Sequence, residues 1–350
     1  MHIPSEKILP LVLVIALNVK AQDMQDIIHN YDKMEAELLK QFETGISENG
    51  INLTATINGL GMLRSRKILP HLLSNLTYKY FTSDDMAGSI GKFHLARYFV
   101  AIPALENISV PLYVCISEMK SAPMLSQRRT ALDFLGQRMY GEWFIAETQT
   151  SVSGQSTVIL ALPQLHGIDD VVQANNSVDE NRNIYLNMEM ECVTHYNREL
   201  RDGYTNLVAV LEVIGHIRSL KARPLILDYL RKTDDRSSLT LAHQRALRGI
   251  GLPFPGILRE LDSAKGNLEW INFLLCLGWD TEGDVFVRAV KRQAAMATDT
   301  EKWKRIQAVL TDCMRTHPAP KPLVVLPPCP VRALPSSENR PDISVDVDGL

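Results

Sequence analysis

Residues Asn52–Leu76 read NLTATINGLGMLRSRKILPHLLSNL, and residues Asn206–Leu230 read NLVAVLEVIGHIRSLKARPLILDYL. The two stretches align without a gap at an offset of 154 residues, and both carry a glycine, the motif Arg-Ser-x-Lys and a proline at matching positions. Extended back to Tyr31, the alignment contains 14 identities in 46 positions, which is far above chance for a sequence of ordinary composition. The chain therefore contains an internal repeat.

The repeat continues towards the carboxyl terminus at a shorter offset of 142 residues. The motif Ala-Leu-x-x-Ile-x-x-Pro occurs at 104–111 and again at 246–253. A Leu-Gly pair followed by Gly-Glu/Asp-x-Phe occurs at 135–144 and again at 277–286. These matches predict two related halves, the second with a loop that is 12 residues shorter.

Each half has the pattern of paired helices. In residues 207–217 the apolar side chains are three or four positions apart, which predicts an amphipathic helix. A turn at 218–221 follows, and a second helix opens near Pro224, since proline is tolerated in the first turn of a helix. A single hairpin of this kind cannot bury its apolar face, whereas stacked hairpins share one core. The sequence predicts an all-α fold.

The pattern Ala-Leu-x-x-Ile-Gly, a short turn and Pro-x-Leu-x-x-x-Leu resembles the HEAT-repeat family. This resemblance implies an α-solenoid in which each half holds three hairpins, with the third departing from the pattern because Gly-Glu/Asp-x-Phe replaces its turn proline. We expect the helices Tyr31–Phe42 and Thr300–Met314 to cap the two ends of the stack. The matching stretches are Asn52–Leu76, Ala104–Met119, Thr130–Ala146, Asn206–Leu230, His243–Leu261 and Asn272–Ala289.

The amino terminus has the pattern of an export signal. Residues Ile8–Leu17 form a ten-residue apolar run after Lys7. A membrane-spanning helix needs about 20 apolar residues, so the run is too short for one. It fits the core of a signal peptide, with small residues at Val19 and Ala21 before the cleavage site. The alternative is a buried amino-terminal helix or strand. We expect export, cleavage after Ala21 and no integral membrane segment in the mature chain.

The carboxyl terminus differs in composition from the rest of the chain, since eight of the 18 prolines fall between Pro318 and Pro341. Such proline density is incompatible with a helix and favours an extended or disordered tail. The predicted organisation is a signal peptide at 1–21, a first half at 22–147, a junction segment at 148–184, a second half with a capping helix at 185–317, and a disordered proline-rich tail at 318–350.

The sequence lacks the short motifs that are typical of common catalytic and phosphate-binding sites. The sequence contains no His-Glu-x-x-His, no Gly-x-Ser-x-Gly and no phosphate-binding loop. Cys192 and His195 have the residue types of metal ligands, but zinc takes four ligands and no second pair lies nearby in the sequence. Cys115 and Cys276 lie in apolar runs and are interpreted as small core residues. We therefore predict no catalytic residue, no metal and no cofactor.

The recurring cations Arg64, Lys67, Arg218 and Lys221 form the predicted binding set. They occupy equivalent positions of the two halves, each next to the end of a predicted helix. One interpretation is structural, because cations at helix carboxyl ends and serines at the next turn are common capping groups. The other interpretation is an anion site. The pattern favours the structural role and leaves the anion site open.

The expected function is that of an exported, non-enzymatic scaffold that binds a protein or peptide along its concave face. A net charge of −3 excludes recognition of nucleic acid through bulk positive charge. One alternative is a hydrolase or lyase whose site surrounds Glu191, Cys192 and His195. A second alternative is a structural envelope component that uses the proline-rich tail as a spacer.

Overall fold

The computed structural model describes residues 5–47, 53–76, 100–122, 127–149, 176–203, 206–233, 235–264 and 266–319. Within these ranges every regular element is a helix and no strand occurs. The all-α prediction is therefore confirmed. Nearly all of the predicted tail and most of the predicted junction segment lie outside the described residues.

The first half begins with a long helix, and shorter helices follow it. The elements of the first half are α1 (Ser5–Ser47), α2 (Leu53–Met62), a 3-10 turn (Arg66–Ile68), α3 (Leu69–Asn75), α4 (described over 100–108), α5 (Leu112–Ser121), α6 (Gln127–Tyr140) and α7 (Glu142–Gln149).

Over the residues that the structure describes, the second half follows the same order and ends with a further helix, α15. Pro224 lies in the first turn of its third helix, as the sequence predicts. The elements of the second half are α8 (Asn176–Asp202), α9 (Leu207–His216), α10 (Arg223–Lys232), α11 (Ser238–Ile250), α12 (Phe254–Ser263), α13 (Leu268–Glu282), α14 (Asp284–Met296) and α15 (Thr300–Thr316).

Turns at matching positions of the two halves adopt the left-handed backbone conformation. Each turn connects the end of one helix to the next element. The two turns of each pair are separated by the offset of the sequence repeat, 154 or 142 residues. They are centred on Arg64 and Arg218 (φ 55° in both), Ser109 and Gly251 (φ 60° and 86°), and Gly141 and Gly283 (φ 53° and 54°).

The turns at Arg64 and Arg218 are of a type that usually contains glycine. The N–H of Ser65 donates to the carbonyl of Leu60 at 3.0 Å, and the N–H of Ser219 donates to the carbonyl of Ile214 at 3.1 Å. This six-to-one bond marks a Schellman ending. A side chain in the left-handed conformation costs about 1–2 kcal/mol. Arginine at both positions therefore indicates a role for the side chain that outweighs this cost.

Helices within each half approach closely at small residues. A Cβ added to Gly61 of α2 would lie 2.7 Å from Cα of Ala104 in α4, and one added to Gly215 of α9 would lie 3.0 Å from Cα of Ala246 in α11. Both pairs are related by the sequence repeat. The glycines allow backbone-to-backbone contact between the first helices of successive hairpins.

The segment expected to cap one end of the stack lies elsewhere. Residues 31–42 form part of α1, which packs against α2 of its own half and against α8 and α9 of the other half. Tyr31 is 2% exposed. The helix lies between the halves because its apolar face is covered from both sides. The other predicted cap, α15, packs on α13 and α14 through Trp303 and Ile306.

Candidate functional site

The two halves meet at Arg64 and Arg218. Nη1 of Arg64 donates to the carbonyl oxygen of Arg218 at 2.9 Å, and Nη1 of Arg218 donates to the carbonyl oxygen of Arg64. Each guanidinium group therefore holds the left-handed turn of the opposite half. These bonds account for arginine at positions where glycine would fit the backbone better.

The contacts around this pair are also reciprocal. Helix α1 packs on α9, and its counterpart α8 packs on α2. The hydroxyl of Tyr31 donates to the carbonyl of Leu63 at 2.7 Å, and the hydroxyl of Tyr185 donates to the carbonyl of Ile217 at 3.0 Å. The two tyrosine ring centroids lie 6.5 Å apart. Burial raises the pKa of Tyr31 to about 12 and also raises the pKa of Tyr185, so both hydroxyls remain protonated donors.

The two lysines of the predicted binding set do not join this contact. Nζ of Lys67 lies 2.6 Å from Oε2 of Glu35, and the lysine side chain is 65% exposed. Lys221 is exposed as well. The structure therefore brings Arg64 and Arg218 together and leaves both lysines at the surface.

Two further arginines, Arg66 and Arg223, lie close to the pair and complete what we call the arginine cluster. Burial lowers the pKa of Arg64, Arg66 and Arg223, and nearby cations lower it further: Arg218 acts on Arg66, and Arg64 acts on Arg223. Guanidinium groups stay charged in proteins even so. Four arginines therefore lie together between the halves, and the buried carboxylates Glu189 and Glu35 lie near Arg64 and Tyr31.

A cavity of about 490 Å³, the central cavity, lies next to this cluster and is lined by both halves. The first half contributes Arg66, Tyr113 and Tyr140, and the second half contributes the turn 249–254 and the end of α13. Nη2 of Arg66 reaches across to the second half and lies 3.3 Å from the place that a Cβ on Gly251 would take. Arg66 is exposed to solvent and lines this concave surface.

The two arginines that line the cavity differ in whether they have a carboxylate partner. Arg248 is paired with Asp280 at 2.6 Å. Among the residues that the structure describes, no carboxylate pairs with Arg66. The residue of the second half that corresponds to Arg66 is Leu220. The sequence repeat therefore points to Arg66 because the two halves differ at this position. Arg66 is the functional candidate that the search for recurring residues missed.

Glu282 is a buried carboxyl group in the wall of the cavity. It is 2% exposed, and its Oε2 accepts the backbone N–H of Tyr113 at 3.0 Å, at the start of α5 in the other half. Burial raises the pKa of Glu282 to about 8, although the N–H groups of Leu112 and Tyr113 act in the opposite direction. The residue thus links the halves, and it carries a proton in neutral solution.

Cysteine and histidine side chains meet at a second place. Cys276 of α13 and Cys313 of α15 lie beside His317, with the ligand atoms of all three within 4.8 Å of one another. Both cysteines are buried. Cys276 is thus a core residue, as predicted from its apolar surroundings, but it is also part of a group that could hold a metal ion. The sequence analysis missed this group because its members lie far apart in the chain.

The residues of the enzymatic alternative are not arranged for nucleophilic chemistry. Cys192 is fully buried, and burial raises the pKa of its thiol to about 12, so it is protonated in neutral solution. Nδ1 of His195 lies 2.5 Å from a guanidinium nitrogen of Arg198, and its Nε2 lies 3.8 Å from Glu191. The imidazole therefore faces a cation and an exposed carboxylate.

Comparison with known proteins gave no match to a family model, to a curated protein or to a solved structure. None of the described helices is both long enough and apolar enough to cross a lipid bilayer.

Proposed function

We propose that the chain is an exported, duplicated helical-repeat protein of the HEAT-like type that binds a protein or peptide partner, and that an acidic group of the partner enters the central cavity. The observation that carries this proposal is Arg66, a cation in a cavity of about 490 Å³ with no carboxylate partner among the described residues. A concave apolar site with a few placed polar groups is the usual form of a ligand site.

The duplication is supported by contacts that repeat between the halves. Left-handed turns, glycine contacts and buried tyrosine hydroxyls recur at the offsets found in the sequence. An ion pair recurs with its charges exchanged, since Arg248–Asp280 occupies the positions of Glu106–Arg138. The reciprocal bonds of Arg64 and Arg218 are those of an isologous, two-fold interface. We therefore favour two repeat triplets facing each other over a single extended solenoid.

The lining of the cavity indicates which chemical group would bind. Tyr113, Tyr140 and Phe254 provide aromatic surface, and Arg66 provides a planar cation with several donors. Guanidinium groups bind carboxylates through paired hydrogen bonds. A segment with an acidic side chain beside an apolar one would satisfy both features. Protein binding rather than hydrolysis is favoured because the thiol of Cys192 is buried and protonated.

The export part of the proposal rests on the apolar run at Ile8–Leu17 and the cleavage motif that ends at Ala21. Cleavage there would leave in the mature chain all the apolar α1 side chains that are described as buried in the core, which are Met24, Ile27, Tyr31, Leu38 and Phe42. The mature protein would therefore keep its contact between the halves.

Binding of acidic peptides tests the proposal. We expect random heptapeptides displayed on phage and selected on the exported protein to be enriched in Asp and Glu. Removing a charged hydrogen bond costs about 1.5–3 kcal/mol, so Arg66→Gln should weaken binding of the selected peptides by about tenfold or more. The same preparation should begin at Gln22 on amino-terminal sequencing.

Arg245→Gln is the matched control, because Arg245 is exposed on α11 and does not line the cavity. Its peptide affinities should equal those of the unmodified protein. Selection of peptides without acidic residues, or equal binding to the Arg66→Gln variant, would contradict the proposed site.

A further inference from the structure

The group of Cys276, Cys313 and His317 lies on α13 and at the end of α15, and none of the three residues lines the central cavity. Sγ of Cys276 lies 3.7 Å from Nε2 of His317, and the ligand atoms of all three residues are within 4.8 Å of one another. Tetrahedral zinc, with Zn–S near 2.3 Å and Zn–N near 2.0–2.1 Å, holds sulfur and nitrogen roughly 3.5 Å apart. The Cys276–His317 separation is thus close to that around a zinc ion, and the Cys313 thiol lies within 4.8 Å of both ligand atoms.

The backbone fixes His317 in this position. Its N–H donates to the carbonyl of Cys313 at 2.9 Å, which ends α15, and its own carbonyl accepts from Nε1 of Trp279 at 3.4 Å. Cys313 and His317 are four residues apart and share one side of the helix end. Cys276 and Trp279 lie one turn apart on α13. Two helices therefore present the three side chains on packed, regular elements.

The carboxylate of Asp280 lies on the side of the His317 ring that faces away from Cys276. Oδ1 of Asp280 lies 3.7 Å from Nδ1 of His317, and Oδ2 of Asp280 accepts from Nη1 of Arg248 at 2.6 Å. Histidines that bind metals usually have their other ring nitrogen turned towards a carboxylate or carbonyl, which selects the tautomer and orients the ring. Here Nδ1 faces the carboxylate and Nε2 faces the thiol, which is the orientation that ligation through Nε2 requires.

We propose that Cys276, Cys313 and His317 bind a single Zn²⁺ ion, with Asp280 as the positioning residue of His317. Two thiolates and an imidazole bind soft or borderline cations such as zinc in preference to Mg²⁺ or Ca²⁺. Three protein ligands leave a fourth position for water or an external ligand. Solvent can reach that position because the side chain of His317 is 39% exposed, whereas both cysteines are buried. This inference does not depend on the proposed peptide site.

Titration of the reduced, metal-free full-length protein with Zn²⁺ and Co²⁺ tests the inference. We expect one equivalent of Zn²⁺ to bind, and Co²⁺ to give the near-ultraviolet thiolate-to-metal band together with the strong visible bands of tetrahedral cobalt. Bound zinc should also protect two thiols from alkylation. Because the ligands must lose protons, the apparent affinity should rise with pH.

Variants separate this site from other thiols. His317→Gln lies at the end of the last core helix and should fold, yet it should lower zinc affinity at least tenfold, as should Cys276→Ala. Asp280→Asn should lower zinc affinity by about 10–100-fold while the cobalt bands are kept. Cys115→Ala removes a buried cysteine elsewhere in the core and should leave binding unchanged.

Three results would overturn the inference. The first is binding of less than half an equivalent of zinc by the reduced protein. The second is zinc affinity that is the same in His317→Gln and in the unmodified protein. The third is a Cys276–Cys313 disulfide in the protein as isolated, because the two sulfur atoms would then be joined to each other and could not serve as thiolate ligands.

Discussion

Replacing Gly249 by alanine is expected to lower the free energy of unfolding by about 3 kcal/mol, since forcing extra atoms into a packed contact costs about 1–3 kcal/mol and sometimes more. Gly249 lies in α11, where that helix crosses α9 at Gly215. A Cβ at Gly249 would lie 2.8 Å from Cα of Gly215 and closer still to its carbonyl carbon and oxygen. The obstacle is backbone, which cannot rotate away as a side chain can.

Whether Gly249→Ala lowers or raises the free energy of unfolding distinguishes a steric clash between the helices from the effect of helix propensity. In an exposed helix interior, alanine is more favourable than glycine by about 0.8–1.0 kcal/mol. If α9 and α11 did not touch at this point, Gly249→Ala would therefore stabilise the protein. Chemical denaturation followed by circular dichroism measures the difference.

Gly256→Ala provides the matched control. Gly256 also lies in a helix, α12, but its added Cβ would meet side-chain atoms and no backbone, with Leu252 at 3.1 Å and Pro253 in ordinary contact at 3.9 Å. A rotamer change of that leucine can relieve the contact. We expect an unfolding free energy within about 1 kcal/mol of the unmodified protein, the size of the propensity difference. Equal destabilisation by both substitutions would contradict the crossing at Gly215.

Stability is also expected to fall as the pH rises from about 5 to 8, because of Glu282. Its pKa is about 8 in the folded protein, against an ordinary value of 4.5, since burial disfavours the carboxylate. Between these values the unfolded chain has released the proton and the folded protein has kept it. Folding must therefore take up a proton, and its free energy becomes less favourable as protons become scarcer.

The size of this loss follows from the shift. Each pKa unit is equivalent to about 1.4 kcal/mol, so the carboxyl group accounts for a loss on the order of 4 kcal/mol between pH 5 and 8. Urea unfolding at a series of pH values measures it. Glu282→Gln keeps the shape and an acceptor for the N–H of Tyr113, so the variant should remain folded and lose most of this slope.

His243 provides the comparison for the acidic side. Burial lowers the pKa of His243 to about 4, and its ring is fully buried, with Nδ1 2.8 Å from the carbonyl of Leu239 and Nε2 2.9 Å from the hydroxyl of Tyr196. A depressed histidine pKa makes stability fall as the pH decreases from 6.5 to 4. This acidic decline should persist in Glu282→Gln. A variant whose alkaline slope equals that of the unmodified protein would refute the role of Glu282.

Local structure could be predicted from the sequence to a large extent. The helix expected at 207–217 is observed as α9 at Leu207–His216, and Pro224 lies in the first turn of α10. These features depend on residues that are close in the chain, where periodicity and turn chemistry apply. The same holds for the all-α class.

The contacts between distant elements could not be predicted in this way. Helical periodicity shows that α1 has an apolar face, but not that α9 of the other half covers it. The repeat points to residues that match, such as Arg64 and Arg218, whereas the halves differ at Arg66, a cavity cation with no carboxylate partner among the described residues. Likewise Cys276 and His317 are 41 positions apart, a spacing that no short motif covers.

The contacts between the halves are reciprocal at Arg64 and Arg218, and cross-linking of two cysteine pairs tests most directly whether the halves face each other. Nε2 of His216 lies 2.7 Å from Oδ1 of Asp32, between α9 and α1. The repeat relates this pair to Met62 and Leu186, on α2 and α8, which also pack together.

The measurement is treatment of the double variants Asp32→Cys/His216→Cys and Met62→Cys/Leu186→Cys with a short bismaleimide, followed by mass spectrometry of the linked peptides. The two-fold arrangement predicts that both pairs cross-link within the monomer in comparable yield. Cross-linking of the first pair alone would show that the halves are stacked head to tail, and it would contradict the two-fold arrangement.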